Sequence, residues 1–151
     1  MMSRLGERFP EKSRKKFCQD HLRPGAILRI NSPHTTPSKI KRCVVLAIKE
    51  ESVSIALTYI NTQKPSSPYL QKWQWPLSCK GREYLDHDSY LDCAQLYEED
   101  LNKIKRMMIE DMDVYLGQMS GRDFLEAKKL VASAKSIPSK LKKKYGFLIN
   151  H

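Results

Sequence analysis

Residues 40–62, IKRCVVLAIKEESVSIALTYINT, constrain the fold more than any other stretch of the chain. Two apolar runs flank a short polar turn, Lys49-Glu50-Glu51-Ser52, of hairpin length. The first run, Val44-Val45-Leu46-Ala47-Ile48, is continuously apolar, the pattern of a strand buried on both faces. In the second, Val53, Ile55 and Leu57 alternate with Ser54, Ala56 and Thr58. That is the period of a strand with one core face. The spacing predicts strands over residues 40–48 and 52–60. Arg42 stands at the mouth of the first and Thr58 at the end of the second.

The flanking segments extend this pattern. Arg23-Pro24-Gly25 is turn chemistry, and Ala26-Ile27-Leu28-Arg29-Ile30 after it reads as a first strand. Residues 31–39, NSPHTTPSK, are a polar loop. Residues 69–77 place Trp73, Trp75 and Leu77 on one face of a further strand that ends near Pro76. Residues 89–96 alternate as a last strand. Beyond residue 96 the period changes. Glu98-Glu99-Asp100 puts acids before Leu101, Ile104, Met107 and Met108, which have helical spacing. Residues 113–117 read as a short link. Ser120 then caps a helix whose apolar face is Phe124, Ala127, Val131 and Ala134. Strands first and helices after predict an α+β fold, a small antiparallel barrel with C-terminal helices.

Length and charge set the frame. A chain of 151 residues suits one domain with a sizeable core. Its net charge of +10 favours anionic partners: nucleic acid, an acidic protein or an anionic surface. Residues 1–16 carry six Arg/Lys against two Glu and read as a basic arm. Cys18, Cys43, Cys79 and Cys93 are too scattered for a zinc site, so no metal or cofactor is expected. The N-terminus shows no apolar leader and no run has membrane-spanning length, which predicts a cytoplasmic protein with reduced thiols.

The order of parts resembles the MazF/PemK-like toxins, endoribonucleases of toxin–antitoxin pairs. Five pieces carry the likeness: Pro24-Gly25-Ala26-Ile27, Arg42-Cys43-Val44-Val45, Ile55-Ala56-Leu57-Thr58, Asp92-Cys93-Ala94-Gln95 and Leu116-Gly117-Gln118-Met119-Ser120. The resemblance implies an SH3-like barrel over residues 23–136, between a basic arm (1–22) and a basic tail (137–151). It further implies a homodimer, an acidic antitoxin partner and single-stranded RNA as substrate. Arg42 matches the family's Arg before Pro-Val, although Cys43 replaces the proline. Thr58 matches the Thr or Ser that contacts the scissile phosphate. The Arg/Asp pair of the PemK branch is missing, since Asp92 and Ala94 occupy its positions.

Metal-independent RNA cleavage must deprotonate the 2′-hydroxyl, stabilise the charged phosphorus centre and protonate the leaving oxygen. Arg42 suits the second task, because guanidinium is always charged and matches phosphate oxygens in bidentate fashion. Thr58 can donate a hydrogen bond there. His34 and His87 are the candidate proton acceptors. Lys39 and Lys41 can bind phosphate, and Trp73 and Trp75 can stack on bases. Each has a plainer reading: an ion-pairing Arg, an ordinary strand Thr, solvated His and Lys, core or interface Trp. Two other classes compete with the nuclease. One is a catalytically inactive barrel that binds nucleic acid or a protein. The other is a DNA-binding regulator reading with the helix at 120–134.

Overall fold

The computed structural model describes residues 10–32 and 39–148. It is an α+β fold built on one antiparallel sheet. The strands are β1 (Ala26–Ser32), β2 (Lys39–Lys49), β3 (Ser54–Asn61), β4 (Gln74–Leu77), β5 (Ser89–Asp92), β6 (Tyr97–Asp100) and β7 (Tyr115–Gln118). They run β4-β5-β3-β2-β1-β7, with β6 also paired to β3. The helices are α1 (Glu11–His21), α2 (Pro68–Gln71), α3 (Leu101–Glu110), α4 (Gly121–Ser133) and α5 (Ser139–Lys144). Bulges between Ile27 and Leu28 and between Val45 and Ala47 add twist, and the sheet curls as a half-barrel.

The expected hairpin is present. β2 pairs β3 from Arg42↔Ile60 to Lys49↔Ser54, and a 3₁₀ turn at Glu50–Ser52 joins them. Val53 closes the turn at φ 49°, a left-handed conformation costly for a β-branched residue. β1 starts at Gly25, whose φ of 94° lets its N–H donate to the Val45 carbonyl (2.7 Å) and its carbonyl accept from Met119 N–H (2.8 Å).

β2 and β3 are buried on both faces, and each face has its own core. One core joins Ile27, Val44, Leu46, Ala56, Ile60 and Leu91 to Ala127 and Val131 of α4. The other joins Leu28, Cys43, Val45, Ile55, Leu57 and Tyr59 to Cys18 of α1 and Leu101, Ile104 and Met108 of α3. Helices therefore sandwich the sheet. This corrects the one-faced reading of β3: Ser54, Ala56 and Thr58 are small enough to lie under helix and loop, and all three are buried.

Local order differs from expectation at six places. Of residues 89–96, expected as one strand, only Ser89–Asp92 form β5. In the expected basic tail, residues 139–144 form α5, because Ile137 and Phe147 dock into the α4-side core. Residues 11–21, expected in a basic arm, form α1, because Cys18 and Leu22 dock on the α3 side. Residues 69–77 split into α2 and the short β4. Residues 98–100 belong to β6, with Asp100 capping α3 by accepting from Asn102 N–H (2.9 Å). Residues 115–118 form β7 along β1 rather than a link. The cap of α4 is as expected: Ser120 Oγ accepts from Asp123 N–H at 3.1 Å. Among the described residues no helix is long and apolar enough to cross a membrane.

Candidate functional site

Strand alternation divides the candidate residues between the two faces of β2. Arg42 shares a face with Val44, while Lys39 and Lys41 share the other with Cys43. At this end of the sheet the helices no longer cover either face fully, and polar groups take over.

On the first face, Arg42 lies beside Arg29 of β1 and Ile60 of β3. Its side chain is only 27% exposed. Nη2 donates to Asp86 Oδ2 at 2.7 Å, across 44 residues of sequence. Nε is buried and has no acceptor among the described residues. Asp86, by contrast, is 74% exposed, so it holds Arg42 from the solvent side. The exposed Asp86 carboxylate is a partner that another oxyanion can exchange with at Nη2.

His87 follows Asp86 in the chain. Its loop is tied down by Asp88, whose Oδ1 accepts from Cys79 N–H at 2.9 Å. That hydrogen bond holds the Asp88 carboxyl below its ordinary range. His87 Nδ1 sits 3.2 Å from the Asp88 carbonyl, which can only accept. Ser89 Oγ lies 3.3 Å from the same nitrogen, and in the tautomer with Nδ1 protonated, Nε2 is the acceptor.

Thr58 is placed differently from the expectation. It has no exposed surface, and its Oγ1 donates to the Asp92 carbonyl. It lies at the point where β3 changes partner from β6 to β5. In this arrangement the hydroxyl fastens β5 and is not available to a phosphate. Asp92 itself faces the other side. Its Oδ1 accepts from Gln74 Nε2 (2.7 Å) and Ala94 N–H (3.1 Å).

The second face carries a mixed basic and aromatic group. Lys41 Nζ donates to Asn61 Oδ1 and sits 5.2 Å over the Tyr59 ring. Burial, then Lys39, lowers the Lys41 pKa, opposed by Asp92. Ser32 Oγ donates to Tyr59 OH at 2.8 Å, and burial pushes that phenol up to about 12. Tyr97 packs on Tyr59 with ring centroids 4.9 Å apart. These tyrosines escape sequence reasoning because β6 is short and its pairing with β3 is nonlocal.

Trp73 and Trp75 pack against the α4-side core and are partly buried. His34 lies outside the described residues, as does most of the loop expected to cover the site. Among the described residues no group of three His, Cys, Asp or Glu could hold a metal ion. Two clefts open elsewhere. The larger, about 1000 Å³, lies at the far end of β2 and is lined by Lys12, Cys18, Ile48 and Ile109. The smaller, about 520 Å³, is lined by Arg82, Tyr84, Gln118 and Asp123. There Arg82 grips Asp123 through Nε (2.9 Å) and Nη2 (3.0 Å).

The fold and this site define an α+β protein with a basic end to its central hairpin. No protein-family model and no curated protein matches the chain.

Proposed function

We propose that this protein is a MazF/PemK-like toxin, a metal-independent endoribonuclease that cuts single-stranded RNA. The observation that carries the reading is Arg42: partly buried, with an unmatched Nε donor and a solvent-exposed carboxylate as its partner. An incoming phosphate displaces Asp86 and takes the guanidinium in bidentate fashion. The 2′-hydroxyl then attacks the adjacent phosphorus, giving its proton to His87 Nε2. The bond to the 5′-oxygen breaks, and that oxygen takes a proton from water or the imidazolium. The products are a 2′,3′-cyclic phosphate and a free 5′-hydroxyl. Thr58 keeps β5 in register and stays off the phosphate. The rest of the family pattern is part of the same proposal: an SH3-like barrel, a homodimer, a cytoplasmic site of action and an acidic antitoxin that neutralises the basic surface.

The test is incubation of the purified protein with mixed-sequence single-stranded RNA in EDTA. Cutting is expected, and Arg42→Ala is expected to abolish it, while Arg42→Lys leaves a small residue of activity. A second reading, a non-catalytic barrel that binds nucleic acid, is favoured by the burial of the Thr58 hydroxyl. Intact RNA with binding retained selects that reading.

A further inference from the structure

We propose that the face of the hairpin opposite Arg42 is a stacking platform for single-stranded RNA, with Tyr90 and Tyr97 contacting bases and Lys39, Lys41 and Lys64 contacting phosphates. This rests on the nucleic-acid reading above but not on cleavage.

The pairing registers bring these residues together from four strands and a loop. Tyr90 stands opposite Asn61, Tyr97 opposite Leu57, and Tyr59 opposite Cys43, which places the three rings on the face that carries Lys39 and Lys41. Tyr59 is buried as a support, whereas Tyr90 and Tyr97 are partly exposed. Two of the three rings, the partly exposed Tyr90 and the buried Tyr59, already hold a cation. Lys64 Nζ is 5.3 Å from the Tyr90 centroid and Lys41 Nζ is 5.2 Å from that of Tyr59. A solvent-exposed cation over a ring is a weak contact, and base stacking on the same ring is stronger. An arriving base therefore displaces lysine from Tyr90, and the freed ammonium pairs with the flanking phosphate.

Nucleic acid fits this face better than a protein does. A protein partner needs an apolar anchor for its energetics. The exposed apolar residue of β2, Ile40 (64% exposed), lies on the Arg42 face instead. Rings set among lysines match a strand of stacked bases with a charged backbone, and the Asp92 carboxylate on the same face opposes phosphate at its own position. Lys41 and Arg42 are adjacent in sequence and on opposite faces of β2. A strand crossing the open end of the sheet thus reaches the platform on one side and the guanidinium on the other.

The test is fluorescence anisotropy with a labelled, mixed-sequence 2′-O-methyl RNA 12-mer, in which the attacking hydroxyl is blocked. Tyr90→Ala is expected to weaken binding about 5- to 100-fold, and Tyr90→Phe, which keeps the ring, to restore it. Lys64→Ala is expected to lower the dependence of log affinity on log salt by about 0.7, the loss of one phosphate contact. Because Tyr97 also packs on Tyr59, Tyr97→Ala is read only alongside its melting curve, and Tyr90 carries the decision. Binding by Tyr90→Ala within twofold of wild type, with Arg42→Ala weakened, overturns the platform and leaves the proposed function standing. No binding by the wild-type protein overturns both.

Discussion

Thr58→Val separates a structural from a chemical role for this threonine. Valine has nearly the same shape, so no cavity forms, and one hydroxyl is lost. Thr58 has no exposed surface and its hydroxyl donates to the Asp92 carbonyl. Losing that donor leaves a buried carbonyl short of a partner, at a cost of about 1–3 kcal/mol. The added buried methyl returns about 0.8 kcal/mol. The net loss is about 0.2–2.2 kcal/mol, which for a chain of this length is a fall in Tm of about 0.5–9 °C. Thr58→Ser keeps the hydroxyl and removes one methyl, so it costs about 1 kcal/mol. The assay is thermal and urea unfolding of both variants, with RNA cutting measured at a temperature where all are folded. Cutting by folded Thr58→Val is expected to stay within a few-fold of wild type. A variant that melts within about 1 °C of wild type yet has lost cutting refutes the argument and returns Thr58 to the phosphate.

Other expectations follow from single contacts. Asp123→Ala strips Arg82 of its bidentate carboxylate; the side chains are 22% and 13% exposed, so the cost in urea unfolding is about 2–4 kcal/mol. Val53→Asn places a residue that tolerates the left-handed region at φ 49°, and raises stability by about 1 kcal/mol. Glu98 accepts from Lys144 (2.6 Å) and Tyr145 (2.7 Å), which hold its carboxyl below the ordinary range, the lysine first. A depressed folded pKa contributes stability above the unfolded value and loses it as pH falls through the folded one. Glu98→Gln therefore lowers Tm at pH 7 and converges with wild type in acid, once pH has fallen through the depressed folded value. With Glu98 41% exposed, the screened difference at pH 7 is under about 1 kcal/mol.

The parts legible in the sequence are those set by local pattern. Alternation and turn chemistry gave β1 and the β2–β3 hairpin, and the Ser120 cap with its apolar period gave α4. α1 was hidden, because a segment as basic as EKSRKKFCQDH offers little apolar face, and its helix is stabilised by docking Cys18 beside α3. β7 was hidden, because four residues with a glycine show no period, and only β1 makes them a strand.

For the candidate site the division is sharper. The sequence by itself determined that Arg42 would stand at a strand mouth in a strongly basic chain, since charge and two-residue alternation are properties of neighbours along the backbone. Tertiary structure decided what each side chain meets there. It closed Thr58 beneath the β5–β6 junction, set Asp86 against Arg42 across 44 residues, and split Lys41 from Arg42 between opposite faces. Alternation says that two residues face opposite ways. Which face is covered, and by what, depends on helices and strands that dock from far away in the chain.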